Sequence, residues 1–154
     1  MGGIKIYVLF FFCVFALVAS PHALFAKVAE EEVTTSHQAK LEKYIQHVYK
    51  QIKFPKGNKL RYSVFENGLK SFLNMKDAGK LNNSNLLSIC DFTLSSNKKR
   101  LWVIDMGTKK VLFHCLVAHG MGSGEEFATS FTNIENSHQS SLGFYTTAET
   151  YTGN

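Results

Sequence analysis

Hydrophobic and polar positions divide the chain into stretches of different period. Residues 6–19 form an unbroken apolar run behind Lys5, and residues 27–38 are polar with no apolar period. From Leu41 the spacing becomes helical: Leu41, Tyr44, Ile45, Val48, Tyr49 and Ile52 recur every three or four residues, which predicts a helix capped by Thr35 or Ser36. Phe54-Pro55-Lys56-Gly57 stops it, because proline restricts the residue before it and glycine favours a turn. A second helix is predicted over residues 63–78, with Val64, Phe65, Leu69, Phe72, Leu73 and Met75 as its stripe. Gly68 weakens that helix and Gly79 suits its end. Asn82 to Asn85 is a polar turn signal.

Beyond residue 85 the period falls to two. Residues 86–94, 100–105 and 110–119 read as strands joined by the turns 95–99 and 106–109, which predicts an antiparallel meander. In the third strand Val111, Phe113, Cys115 and Val117 alternate with Leu112, His114, Leu116 and Ala118. Both rows are largely apolar, which implies a strand covered on both sides, as in a sandwich. The expected class is α+β, mainly β, with two N-terminal helices ahead of the sheet. A meander separates Cys90 from Cys115 by a whole strand, roughly 9 to 10 Å, beyond disulfide reach of about 7 Å between Cα atoms. Two buried free thiols are therefore expected.

Composition and charge then refine the outline. Lys5 followed by fourteen apolar residues has the form of a secretory signal rather than a membrane span. A cut after Ala26 gives three regions: signal peptide 1–26, flexible lead-in 27–38 and folded domain 39–154. Cys13 leaves with the signal. Export to the periplasm or cell envelope follows, with no membrane span in the mature chain. The net charge of +5 is compatible with work beside anionic polymers and equally with an ordinary solvated surface. No Lys/Arg tract interleaved with aromatics supports nucleic-acid binding.

Candidate chemistry begins at His119-Gly120. Cys115 lies near it in sequence, and a cysteine beside a histidine base is how a reactive thiolate is made. Four residues along a strand place their Cα atoms roughly 13 Å apart, whereas proton transfer needs about 3 Å. Gly120-Met121-Gly122-Ser123-Gly124 lacks the dinucleotide and phosphate-loop signatures, and Glu125-Glu126 would repel phosphate. His37, His47, His114 and His138 show no metal-ligand spacing, so neither a metal nor a cofactor is expected.

Several blocks carry a resemblance: Ile89-Cys90-Asp91-Phe92, Lys99 to Asp105, Val111-Leu112-Phe113, Val117-Ala118-His119-Gly120 and Ser137-His138-Gln139-Ser140-Ser141-Leu142-Gly143-Phe144-Tyr145. Together they resemble the murein L,D-transpeptidase catalytic-domain family, a branch of the YkuD-like cysteine transpeptidases, across residues 44–154. The resemblance implies an antiparallel β-sandwich and acyl transfer on peptidoglycan stem peptides: a thiolate attacks the diaminopimelate carbonyl and D-alanine leaves. It places His138, Ser141, Gly143 and Tyr145 near the substrate cleft, with Gly143 at a position needing positive φ or a close approach. The family's catalytic cysteine and histidine belong to a later block, His-Gly and then Gly-Arg-Ser-x-Gly-Cys, which residues 1–154 do not contain. The expectation is thus a truncated, YkuD-like sandwich with no catalytic residue of its own, an unpaired sheet edge and no activity alone. A secreted, non-catalytic peptidoglycan-binding or accessory protein is the alternative. Nothing in the sequence assigns an oligomeric state.

Overall fold

The computed structural model describes residues 21–81 and 85–147, with side chains from residue 33 onward. The apolar run 6–19 and most of the polar turn at 82–85 lie outside the described residues. The chain divides into two units, Met1–Ala39 and Lys40–Asn154.

Helix α1, Pro21–Gln51, begins far earlier than its apolar spacing indicated. Residues 27–38, expected as a flexible lead-in, are helical, and Thr35 and Ser36 are interior positions rather than caps. The physical reason is propensity. After Pro21, whose missing N–H is tolerated in a first turn, α1 contains no glycine or proline and is rich in Ala, Glu, Lys and Gln. Lack of a period signals lack of a buried face, and residues 33–44 are all exposed. Burial starts at Ile45.

In the second unit Ile45 and Val48 of α1, with Ile52 just past its end, join Leu60 and helix α2, Tyr62–Asp77, which buries Phe65, Gly68, Leu69 and Phe72. Full burial of a Leu, Ile or Phe side chain contributes roughly 1.5–3 kcal/mol. The helix ends as expected: Gly79 takes φ 66°, Lys80 N–H donates to Met75 O and Gly79 N–H to Lys76 O, a Schellman-type closure. Gly68, weak by propensity, sits at a close packing contact. A Cβ there would lie 2.8 Å from Ile89 Cδ1, so the missing side chain lets α2 approach the sheet. Tyr49 sits among aromatic rings, 5.2 Å from both Tyr62 and Phe65, and its hydroxyl donates to Leu60 O.

Strands β1 (Leu86–Cys90), β2 (Leu101–Asp105) and β3 (Lys110–Cys115) form the expected antiparallel meander in the order β1-β2-β3. Two helices followed by this sheet make the fold α+β. Leu87, Ile89, Trp102 and Ile104 face the helical layer and close the core.

Two expectations for β3 are corrected. Val103 pairs with Phe113 and Ile104 with Val111, so Leu112 is an extra residue, a bulge that breaks strict alternation. Val111 and His114 therefore share the face of Ile104 and Trp102, while Phe113 and Cys115 share the other. Nor is β3 covered on both sides among the described residues: Leu112 and Phe113 are exposed, as is Leu116 beyond the strand. Among the described residues its outer edge carries the parallel bridge between Lys53 and Lys110. The same open face explains the cysteines. Cys90 and Cys115 flank Leu101 in register and are free, but both are half-buried rather than buried.

Candidate functional site

The loop that leaves β3 is anchored from below by a buried cation. Arg100 precedes β2, is wholly buried, and its backbone N–H donates to Cys115 O. Its guanidinium donates twice to Val117 O (3.1 and 3.0 Å), to Leu94 O (2.9 Å) and to His119 Nδ1 (2.7 Å). The Phe92 ring lies 5.1 Å away beneath it. A guanidinium can only donate, so Nδ1 of His119 must accept and the ring proton resides on Nε2. That nitrogen donates to Gly124 O at 3.0 Å. Both nitrogens of His119 are thus used inside the protein, and its ring stands edge-on to Phe92.

The same loop is fastened from above by the segment 137–141. The short 3₁₀ turn Met121–Ser123 carries the fully buried Ser123, whose Oγ accepts from Ser140 N–H at 2.7 Å and whose carbonyl accepts from Thr129 N–H at 2.8 Å. Ser140 Oγ in turn accepts from Gly120 N–H at 2.8 Å, and Gly122 N–H donates to His138 O at 2.7 Å. These crossings bring the backbones so close that a Cβ on Gly120 would lie 2.4 Å from His138 O. Glycine is therefore imposed at 120 by contact with a segment nearly twenty residues away.

An apolar cleft of about 280 Å³ opens beside this assembly, lined by Val64, Cys90, Phe92, Ala128, Phe131 and Leu142, with Arg61 and Asp91 at its polar side. Asp91 is buried and well supplied with donors. Arg61 grips it through Nε and Nη2 at 3.0 and 2.9 Å, and Thr93 donates its N–H and hydroxyl. Burial pushes the Cys90 thiol up to about 11, opposed by the positive charge of Arg100 and reinforced by Asp91. Such a thiol is protonated at neutral pH and a poor nucleophile.

A family model for the L,D-transpeptidase catalytic domain matches residues 56–154, well over half of the chain. The chain belongs to that family. Among curated proteins and among solved structures nothing matched it.

In this L,D-transpeptidase-family chain the residues expected near the cleft fall as follows. His138 is exposed, adopts φ 57°, and contributes its carbonyl rather than its ring to the loop. Ser141 is exposed at the start of the turn. Gly143 has φ 146°, and Tyr145, also exposed, folds its hydroxyl back to donate to Leu142 O at 3.0 Å. Gly143 and Tyr145 are thus neighbours in one turn, and none of the four lines the cleft, which Leu142 between them does. The residues that organise the site are Arg100, Ser123, Ser140 and the Arg61–Asp91 pair. Asp91, Arg100 and Ser140 lie inside the blocks that carry the resemblance, but the sequence pattern gives none of these residues its role, since a buried arginine at a strand start looks like any turn-flanking cation. Among the described residues no three His, Cys, Asp or Glu side chains gather as a metal group. No helix there is long and apolar enough to cross a membrane.

Proposed function

We propose that this L,D-transpeptidase-family protein is exported to the cell envelope and engages peptidoglycan stem peptides. Its described residues form the scaffold of a cleft, and among them no thiol is held against a free base. The observation that carries this reading is the double engagement of His119. With Nδ1 accepting from Arg100 and Nε2 donating to Gly124 O, the imidazole has no lone pair left to take a thiol proton. The raised Cys90 thiol supports it from the other side, because a protonated sulfur beside no free base does not attack a carbonyl. Acyl transfer from the diaminopimelate carbonyl needs a thiolate, a base and oxyanion donors held together. These residues instead spend their polar groups on holding the loop.

The test uses the 154-residue chain and a purified disaccharide tetrapeptide. Binding to isolated sacculi without release of D-alanine is expected. Release of D-alanine that disappears in Cys90→Ala or Cys115→Ala would overturn the non-catalytic reading, and failure to sediment with sacculi would overturn the wall reading. Export is checked separately by fusing residues 1–40 to a phosphatase active only outside the cytoplasm. An inactive fusion would refute it.

A further inference from the structure

We propose that a second cleft, which shares Arg61 and Asp91 with the apolar one, docks the free carboxylates of peptidoglycan stem peptides; this rests on the wall-binding reading above. The cleft measures about 310 Å³ and lies between the turn at 55–58, the turn at 91–99 and the end of the sheet. Lys59, Lys98, Lys99 and Arg61 line it, with His114 and Trp102 at its inner wall. Asp91 is its only carboxylate, and that charge is already consumed by the two-pronged contact with Arg61. Among the described residues none of the three lysines pairs with a carboxylate. Lys59 is instead held over the Tyr49 ring, 4.6 Å from its centre. Lys98 and Lys99 thus leave two adjacent ammonium groups without a carboxylate at one concavity, with Lys59 beside them, and an anionic ligand relieves their repulsion.

The walls are built rather than incidental. Trp102 Nε1–H donates to Asn58 O at 3.3 Å, Asn58 N–H donates to Pro55 O, and His114 stacks on Trp102 at 4.6 Å. Because Trp102 is buried, it offers no face on which a nucleic-acid base can stack. Lysines with no such platform suit point-charge contacts to carboxylates. A tetrapeptide stem presents these at its D-alanine terminus and on its diacid residues.

Trp102 is also the chain's single tryptophan, so occupancy of the cleft has its own reporter. The full chain is titrated with disaccharide tetrapeptide, with the same compound amidated at its carboxyls, and with tripolyphosphate, while Trp102 fluorescence is followed. The native muropeptide is expected to change the emission, with affinity falling about tenfold or more in Lys98→Glu/Lys99→Glu. It should also weaken several-fold as salt rises from 50 to 500 mM, as for an exposed ionic contact. The amidated compound is expected not to bind. Muropeptide affinity unchanged in the double variant, equal binding of the amidated compound, or binding of tripolyphosphate alone would each overturn the proposal. Sacculus sedimentation of the same double variant separates the two readings. Retained sedimentation with no response at Trp102 removes the cleft and leaves the wall reading standing, whereas loss of sedimentation in the unmodified chain removes both.

Discussion

Replacing Arg100 with methionine keeps the length of the side chain and removes every donor. Three acceptors then lose their partner: Leu94 O, Val117 O and His119 Nδ1. Leaving a buried acceptor unsatisfied costs about 1–3 kcal/mol, and these three, being half-buried, fall toward the lower end of that range. Against that, the variant no longer buries a cation that has neutral partners, and recovering that desolvation offsets part of the loss. The balance is a destabilisation of about 3 kcal/mol, near the upper range for single substitutions. With a urea m-value of about 1.5 kcal/mol/M the unfolding midpoint falls by about 2 M. Trp102 fluorescence and far-ultraviolet dichroism followed together report it and test for two-state behaviour. Arg100→Lys should recover little, since a single ammonium nitrogen cannot occupy the three separate positions from which Nε, Nη1 and Nη2 donate. Pairing Arg100→Met with His119→Ala should show coupling of about 1 kcal/mol, because the two side chains share a hydrogen bond. A midpoint for Arg100→Met within about 0.3 M of the parent would refute the idea that this cation organises the loop.

Gly120→Ala drives a Cβ against His138 O, and relief requires the backbones of the two segments to part. A loss of about 1–3 kcal/mol is expected, with faster amide exchange at Gly122 and Ser140; unchanged exchange would contradict the contact. Cys90 should resist alkylation. With its thiol pushed up to about 11 the thiolate at pH 8 is on the order of a hundredfold scarcer than for an unperturbed cysteine, so iodoacetamide labelling at the rate of an unfolded peptide would disprove the burial. The protonated thiol also favours the folded state fully below the unfolded cysteine value, and that contribution disappears as pH rises toward about 11. Asp105 shows the opposite sign. The Thr108 hydroxyl and the N–H groups of Thr108 and Gly107 hold its carboxyl below the ordinary range. Its contribution is therefore present above the unfolded aspartate value and lost as pH falls through the lower folded one, so Asp105→Asn should flatten the acid limb of the stability curve. An unaltered acid limb would contradict those hydrogen bonds.

Periodicity read the second unit well because its elements are amphipathic. The stripe of α2, the glycine that closes it and the three-strand meander all follow from positions that must face one core. The beginning of α1 escaped the same reasoning. Where a helix leaves its side chains exposed, as at residues 33–40, spacing carries no signal and only propensity speaks. The bulge at Leu112 escaped as well, since a single extra residue in an apolar strand leaves no mark on composition, yet it turns Val111 to the opposite face from Phe113. Of the site, the conspicuous residues were read and the organising ones were not. His119-Gly120 and the 137–145 block could be seen as candidates, whereas the organising roles of Arg100, Ser123 and the Arg61–Asp91 pair could not.

The amino-acid string on its own decided the class of the protein: two helices, a meander, the transpeptidase-family blocks and the separation of the two thiols by one strand. Those are local or nearest-neighbour properties, settled by period, turn chemistry and motif. Tertiary structure decided which polar groups meet. A buried arginine, a serine that closes a loop across seventeen residues and three lysines around one cleft depend on chain segments distant in sequence. Hydrogen-bonding geometry and Coulomb interaction act through space, so only the folded chain determines which of these groups are satisfied and which remain for a ligand.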